Sequence, residues 1–263
     1  MNILQNKIIL VTGASSGIGR SIVMKLAEKG AIPIMIARSS DKLEEIKQQI
    51  NSLYGMESYY YVVDMLDQNK YESILDNIKI SHPTIDGIIN NAGFGKFEKL
   101  EQMDFNTSKN MIHLNLQSLI YTTYTLLPIL KKQPNAHIVN IGSQAGKLAT
   151  PKSAVYSATK AAVISFSNAL RLELIEDNVY VTSVNIGPVK TEFFEHADPT
   201  GNYSRNIEKY MLDPDKLAKK IVGSLFTRKR EINLPQWMQF GAICYQLAPN
   251  TMEKLLKKQF SKK

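Results

Sequence analysis

The chain has 263 residues, of which 44% are hydrophobic and 21% are charged, a composition typical of a globular protein and not of a disordered one. Its net charge of +8 is confined to residues 214–263, which hold 11 Lys or Arg against 3 Asp or Glu, whereas residues 1–213 hold 21 of each, so a nucleic-acid site ringed by basic groups is not expected. The single cysteine, Cys244, excludes an intrachain disulfide and favours a reducing compartment, and without a secretory signal or an apolar run of about 18 residues we expect a cytoplasmic protein.

Apolar runs alternate with amphipathic patterns from the start of the chain, which predicts strands separated by helices. The predicted strands are residues 7–12, 32–37, 59–63, 86–90, 137–141 and 179–186. The first predicted helices are residues 17–29 and 41–53, the second with Asp41 as its N-cap. Strands connected through helices indicate an α/β protein with a parallel sheet covered on both faces. Since there is no linker or internal repeat, residues 1–263 are predicted to form one domain.

A glycine-rich turn follows the first predicted strand and opens the first helix. It reads Thr12-Gly13-Ala14-Ser15-Ser16-Gly17-Ile18-Gly19. Glycines let the backbone approach a pyrophosphate closely, and a helix N-terminus offers it free N–H groups and the positive end of a dipole. A glycine turn without a ligand is the alternative, but the position between strand and helix favours the phosphate site.

The string TGASSGIG resembles the short-chain dehydrogenase/reductase family, in its single-domain branch, and the resemblance extends from Lys7 to about Thr191. It implies a Rossmann-type, doubly wound, mainly parallel seven-stranded sheet with helices on both faces. It also implies a nicotinamide dinucleotide whose phosphates lie against the turn. The turn residues expected to bind it are Gly13, Ser15, Ser16, Gly17, Ile18 and Gly19.

The end of the second predicted strand bears on which dinucleotide is bound. NAD sites of this kind place an acidic residue there, but this strand ends in Ala37-Arg38-Ser39. Because a guanidinium forms charge-assisted hydrogen bonds with a phosphate, we predict NADP(H), with Arg38 and Ser39 on the 2′-phosphate. A solvated surface charge is the other reading of Arg38. Relatives that prefer NADP often carry a basic residue where this chain has Ser16, so NAD stays the alternative cofactor.

Three further segments match positions at which the family contacts its cofactor. By resemblance, Asp64 and Met65 follow the third strand beside the adenine, and an Asn-Asn-Ala-Gly segment follows the fourth strand. After the sixth strand, where relatives read PGxVxT, this chain has Ile186 in place of the first proline. The residues implied in these segments are Asp64, Met65, Asn90, Ala92, Gly93, Val189 and Thr191.

A possible catalytic pair, Tyr156 and Lys160, is spaced to lie on one helix face. With 12 Tyr and 26 Lys, roughly one such pair is expected by chance, so the pair alone indicates little. Ser143, 13 residues upstream of Tyr156, and Asn115 complete the family's catalytic set. The resemblance implies Tyr156 as general acid/base and Ser143 as hydrogen-bond donor to the substrate oxygen. Lys160 would bind the nicotinamide ribose and tune Tyr156, so both residues also belong to the expected cofactor site. Asn115 would hold a water that links Lys160 to solvent.

Hydride transfer between NADP(H) and a carbonyl or alcohol is the reaction that this set predicts. A free tyrosine has a pKa of about 10, and the Lys160 cation is expected to favour tyrosinate. A catalytically silent NADP-binding regulator is the alternative, although it would have no need of all four residues. A third class, a binder of nucleic acid or another acidic surface, rests on the C-terminal charge alone. No metal is expected, because His82, His113, His137 and His196 show no ligand spacing.

The last two segments bear on substrate and partners. By resemblance, residues 190–213 form a flap over a small-molecule substrate, with Gly95 and Phe97 at the mouth. Residues 234–263 are apolar and then basic. They could contact an anionic membrane surface, another subunit or their own domain, and the last two are favoured. The family resemblance implies a homodimer or homotetramer and gives no reason to expect nucleic acid as a partner.

Overall fold

A computed structural model gives residues 2–198 and 200–260, with the side chains of all of these except residues 256–260. Seven strands form one sheet: β1 Ile8–Thr12, β2 Ile32–Ala37, β3 Tyr59–Val62, β4 Gly87–Asn90, β5 Ala136–Ile141, β6 Val179–Ile186 and β7 Glu231–Leu234. Their order is β3-β2-β1-β4-β5-β6-β7, and every neighbouring pair is parallel. The predicted doubly wound sheet is therefore confirmed, with seven strands that are all parallel.

Eleven α-helices connect or follow the strands within the described residues. They are α1 Gly17–Glu28, α2 Ser40–Tyr54, α3 Gln68–Ser81, α4 Phe105–Ile112, α5 Ser118–Leu130, α6 Ala154–Glu173, α7 Phe193–Ala197, α8 Asn202–Ile207, α9 Pro214–Val222, α10 Gln236–Leu247 and α11 Pro249–Phe260. A π-helical turn, His113–Gln117, joins α4 to α5, and 3₁₀ turns span Gln144–Gly146 and Glu208–Tyr210.

The prediction that Asp41 is the N-cap of the second helix is wrong. The helix α2 begins at Ser40, and Ser39 occupies the N-cap position without forming a side-chain cap hydrogen bond. Asp41 lies instead in the first turn, where its carboxylate is favoured by the positive end of the helix dipole.

The two faces of the sheet carry separate hydrophobic cores, because successive strand residues point to opposite sides. On one face, Ile9 and Val11 of β1 pack with the buried sides of α1, α2 and α9. On the other face, Leu10 packs with α3, α5 and α6. Burial on both faces explains why the strands other than the edge strands β3 and β7 read as continuous apolar runs in the sequence.

The strand order reverses at β1, which pairs with β2 on one side and β4 on the other. In open sheets of this type a crevice forms outside the carboxyl ends of the strands at this reversal. The turn after β1 and the segment after β4 therefore face each other across that crevice.

The C-terminal part of the chain is built into the fold. Helix α9 packs on α1, and β7 extends the sheet by pairing with β6. The predicted segment 234–263 starts at the end of β7, continues as α10 along that strand, and then forms α11 against α10; residues 261–263 lie outside the described residues. None of the described helices has the length and apolar character that crossing a bilayer requires.

Candidate active site

A cavity of about 1120 Å³ lies at the carboxyl ends of the central strands. Most of the residues predicted from the sequence line it: Gly13, Ser15, Ser16, Gly17, Ile18, Arg38, Ser39, Asp64, Met65, Ala92, Gly93, Ser143, Tyr156, Lys160, Val189 and Thr191. Three predicted residues, Gly19, Asn90 and Asn115, do not line it. The cavity thus joins the glycine turn to the Tyr-Lys pair in one continuous space.

The glycine turn is shaped by close contacts within the protein. Gly13 has a φ of +65°, and a Cβ there would lie 2.9 Å from the Ala92 Cα. A Cβ on Gly19 would lie 2.1 Å from the Gly13 carbonyl oxygen, so only glycine allows the turn to fold back on α1. Gly19 therefore acts through packing, while Ser16, Gly17 and Ile18, at the start of α1, line the cavity. The first N–H groups of a helix have no partner within the helix and suit an anion.

The segment after β4 braces this turn from the other side. Thr12 Oγ1 accepts hydrogen bonds from the backbone N–H groups of Asn91 and Ala92, both at 3.0 Å. The Asn91 amide donates to the carbonyl oxygens of Thr12 and Gly13 at 3.0 and 3.1 Å. Asn90 is buried in the sheet, where its Nδ2 donates to Asn140 Oδ1 at 2.9 Å. Asn90 thus stabilises the strands and does not face the cavity.

The far end of the cavity carries basic residues. Arg38 and Ser39 are exposed at the end of β2 and line the cavity wall. Lys42, one turn further along α2, lines the same wall, and its Nζ lies 3.5 Å from a Glu192 carboxylate oxygen. Sequence analysis missed Lys42, because Arg38 precedes the helix and no helical spacing relates the two residues. This end of the cavity has the charge that a phosphate group requires.

The catalytic candidates come together at the other end. Lys160 Nζ lies 5.9 Å from the centre of the Tyr156 ring and donates to the Ile141 carbonyl at 2.8 Å. Ser143 lies close enough to Tyr156 to lower the pKa of the phenol, and its own hydroxyl donates to the Ile186 carbonyl at 3.3 Å. The Ser143 hydroxyl oxygen also accepts a hydrogen bond of 3.0 Å from the Ala145 backbone N–H. Three predicted side chains therefore meet on the cavity wall.

Asn115 lies behind this group, on the π-helical turn between α4 and α5. Its side-chain amide pairs with the backbone of Phe94 through two hydrogen bonds of 2.9 Å. Its Nδ2 also donates to Thr159 Oγ1 on α6 at 3.1 Å. Asn115 thus holds the segment after β4 against the helix that carries Tyr156 and Lys160, and π-helical turns of this kind are frequent at functional sites.

Burial shifts both catalytic pKa values towards the neutral forms. It raises the pKa of the Tyr156 hydroxyl to about 12, against an opposing effect of Ser143. It lowers the pKa of Lys160 to about 8. Removal from water thus penalises the phenolate more than nearby groups stabilise it, and the expectation that Lys160 and the oxidised nicotinamide favour tyrosinate stays a prediction.

Aromatic side chains form the cavity wall next to Tyr156. The Phe97 and Phe193 rings lie 5.9 and 5.8 Å from the Tyr156 ring, centre to centre. Phe194 and Tyr203 extend the cluster. Phe193, Phe194 and Tyr203 belong to the segment predicted as a flap, residues 190–213. The two ends of that segment are joined by a hydrogen bond of 2.9 Å from the Lys190 N–H to the Leu212 carbonyl. Pro199 within the segment lies outside the described residues. This wall is apolar apart from its hydroxyl groups.

The C-terminal helices supply the outer wall, which sequence analysis missed. Trp237, Met238 and Gly241 of α10 and Met252 of α11 line the cavity. The Trp237 ring packs on that of Tyr210 with centres 5.8 Å apart. The apolar run with a single Trp at residues 234–248 was the available signal, but it did not show which face met the site.

A polar cluster lies behind the 3₁₀ turn that follows Ser143. Lys147 Nζ contacts Glu231 Oε2 at 2.5 Å, Asn233 Oδ1 at 2.9 Å and Gln239 Oε1 at 3.1 Å. These acceptors lie on β7 and α10, so Lys147 ties the loop that carries Ser143 to the C-terminal elements.

Comparisons with known proteins agree with this geometry. The family model described as short chain dehydrogenase matches residues 7–201. An uncharacterized oxidoreductase of Staphylococcus aureus strain MRSA252 is 32% identical over 237 residues, which cover 89% of this chain and 96% of the relative.

Two solved structures are also similar. An alcohol dehydrogenase from the archaeon Thermococcus sibiricus, complexed with 5-hydroxy-NADP, is 27% identical with a TM-score of 0.78, covering 88% of this chain and 96% of that one. A short chain dehydrogenase from Shigella flexneri, complexed with NADP, is 26% identical with a TM-score of 0.79, covering 89% of this chain and 99% of that one.

Proposed function

We propose, since the chain belongs to the short-chain dehydrogenase family, that this oxidoreductase uses NADP(H) and reduces a carbonyl group with Tyr156 as the proton donor. One observation carries the proposal: a buried phenol, beside Ser143 and Lys160, lies on a cavity that continues to a glycine turn at a helix N-terminus. A silent regulator would need the glycine turn that binds the nucleotide, but not the group formed by Tyr156, Ser143 and Lys160.

The residues at the far end of the cavity fit NADP(H) better than NAD(H). Arg38 and Lys42 offer two cations where NAD sites carry an acid, and Lys42 supplies the second charge that Ser16 does not. Two relatives, from Thermococcus sibiricus and Shigella flexneri, are complexed with NADP or a derivative of it. The free N–H groups of α1 would hold the pyrophosphate, and the bound nucleotide supplies the hydride.

The protonation state of Tyr156 favours reduction. With its pKa raised to about 12, the phenol keeps its proton at neutral pH and can donate it to an oxygen that gains negative charge. Ser143 would donate a second hydrogen bond to that oxygen and so orient the carbonyl. Lys160 would contact the ribose hydroxyls while charged, which it is below a pH of about 8.

The walls around this point favour a carbonyl compound with an apolar portion. Phe97, Phe193 and Trp237 would contact such a group, and aromatic side chains of this kind bind mainly through burial of apolar surface. Small hydrophilic carbonyls would leave this surface exposed and bind weakly.

The test is consumption of NADPH and NADH against carbonyl panels matched in reactivity but differing in apolar size. We expect turnover with NADPH, a kcat/KM at least about tenfold higher than with NADH, and preference for the larger apolar members. Tight NADPH binding without turnover on any member would favour the silent regulator. Equal or better use of NADH would remove Arg38 from its assigned role.

A further inference from the structure

The outer face of α10 carries a row of exposed apolar side chains. Phe240, Ile243 and Leu247 are 70%, 44% and 81% exposed, and their spacing of three and four residues places them on one helix face. They do not line the active-site cavity, which α10 meets through Met238 and Gly241. A contiguous apolar surface of this kind on a folded domain usually marks a binding surface.

The segment beyond this row is strongly basic. Residues 249–263 hold five lysines, at positions 254, 257, 258, 262 and 263, against one acidic residue, Glu253. Lys254 is exposed on α11, and the Glu253 carboxylate accepts a hydrogen bond of 2.9 Å from the Tyr245 hydroxyl. The apolar row thus adjoins a segment whose charge suits an anionic surface.

We propose that the outer face of α10, together with the basic helix α11, docks on an anionic phospholipid bilayer. Amphipathic helices that lie in the membrane interface combine Phe, Trp and Leu on one side with lysines that meet the headgroups. A second copy of the chain would fit less well, because a symmetric contact would bring two basic segments together. A lipid surface covers the apolar row and neutralises the lysines at once.

The docking helices α10 and α11 also form the outer wall of the active-site cavity, α10 through a different side from the apolar row. Met252 of α11 and Trp237 of α10 line the cavity from the same two helices that would contact the bilayer. Docking would hold the cavity close to the lipid in which apolar carbonyl compounds dissolve. This last consequence rests on the proposed function, whereas the docking itself does not.

The test is co-sedimentation of the full chain with vesicles of phosphatidylcholine alone or with one-third phosphatidylglycerol. We expect binding to the anionic vesicles only, with about a tenfold loss of affinity in the variant Phe240→Gln, Ile243→Gln, Leu247→Gln. The matched control is Leu172→Gln at the end of α6 combined with Ile175→Gln in the turn after it. These side chains are 60% and 70% exposed but adjoin Glu173 and Glu176, and the control should bind as wild type does. Each Lys→Gln change at positions 254, 257 and 258 should weaken binding by about fivefold.

Three outcomes would overturn the proposal: equal binding to neutral vesicles, unchanged binding by the α10 variant, or an α10 variant that changes from oligomer to monomer with vesicle binding intact. The last outcome would assign the row to a second copy. NADPH consumption with a water-soluble carbonyl should be the same in wild type, variant and control. If wild type consumes no NADPH with any carbonyl, the proposed function is contradicted, and the docking result stands.

Discussion

Tyr156 and Lys160 show how burial sets the chemistry of two side chains on one helix turn. The pKa of Tyr156 is raised to about 12 and that of Lys160 is lowered to about 8. Both shifts favour the neutral form, because a poorly hydrated site penalises either charge. The motif could be read from the sequence, since spacing along a helix fixes which residues are neighbours. The direction of the tyrosine shift could not, because it depends on packing by residues far away in the chain, among them Phe97 and Tyr203.

The pKa of Lys160 predicts how activity depends on pH. Its folded value is lowered from 10.5 to about 8, so its charge is present below that pH and is lost above it, whereas Tyr156 stays protonated up to about 12. We expect kcat/KM for carbonyl reduction with NADPH to be level below pH 7 and to fall tenfold per pH unit well above pH 8. A profile that stays level to pH 10 would show that the charge on Lys160 is not needed.

Lys42 is the residue whose role sequence reasoning could not identify. Its partner Glu192 lies 150 residues away, and only the folded chain brings the two together beside Arg38. We expect Lys42→Met to raise the KM for NADPH by about tenfold and to leave that for NADH within about twofold, because only NADPH carries the 2′-phosphate.

The control for this variant is Lys47→Met, on the same helix. Lys47 lies over the Tyr60 ring at 5.7 Å and does not line the cavity. It should change neither KM. An equal rise in both KM values for Lys42→Met would mean that Lys42 acts on the adenosine or on α2, and not on the phosphate.

Among the elements, β7 and α10 depend most on tertiary structure. The strand Glu231–Leu234 is only four residues long and directly follows the basic run 228–230, so no periodic pattern distinguishes it from a loop. Its pairing with β6 and the cluster around Lys147 give it a fixed position. The strands β1, β2, β4, β5 and β6 were recognisable because burial on both faces produces unbroken apolar runs, whereas β3, which is partly exposed at the sheet edge, was recognisable from its run of tyrosine and valine.

The Lys147 cluster predicts that an ion pair outside the cavity supports catalysis. Lys147→Met leaves Glu231, whose side chain is 17% exposed, with only the more exposed Arg230 as a cation, at 3.5 Å, and we expect a loss of about 2–3 kcal/mol in the free energy of unfolding. Because the loop carrying Ser143 loses its tie to β7 and α10, kcat should fall by about tenfold with the KM for NADPH nearly unchanged.

Two further variants separate stability from positioning. Lys147→Met combined with Glu231→Leu should recover most of the unfolding free energy but not kcat, because it removes the carboxylate without restoring the tie. Lys132→Met, at an exposed site on the turn after α5, should change neither quantity. Recovery of kcat in the double variant would mean that Lys147 acts on activity through stability alone.

For the whole molecule, the parallel sheet explains why residues so distant in sequence share one site. The carboxyl ends of β1, β2, β4, β5 and β6 all reach the same edge, so the turns after them surround one crevice. This much follows from alternating strands and helices, and it made most of the candidate site predictable. The outer wall from α10 and α11 was not predictable, because an apolar helix carries no sequence record of which surface it covers.

The variant Tyr156→Phe tests most directly whether Tyr156 donates the proton to the carbonyl oxygen. In single-turnover experiments with NADPH and the best carbonyl substrate, we expect NADPH to bind within about twofold of wild type. The rate of its oxidation should fall by at least a hundredfold, because the phenylalanine ring keeps the packing but carries no proton. Ser143→Ala keeps Tyr156 as the proton donor and should therefore retain more activity than Tyr156→Phe. Oxidation of NADPH by Tyr156→Phe at a rate near that of wild type would contradict the account.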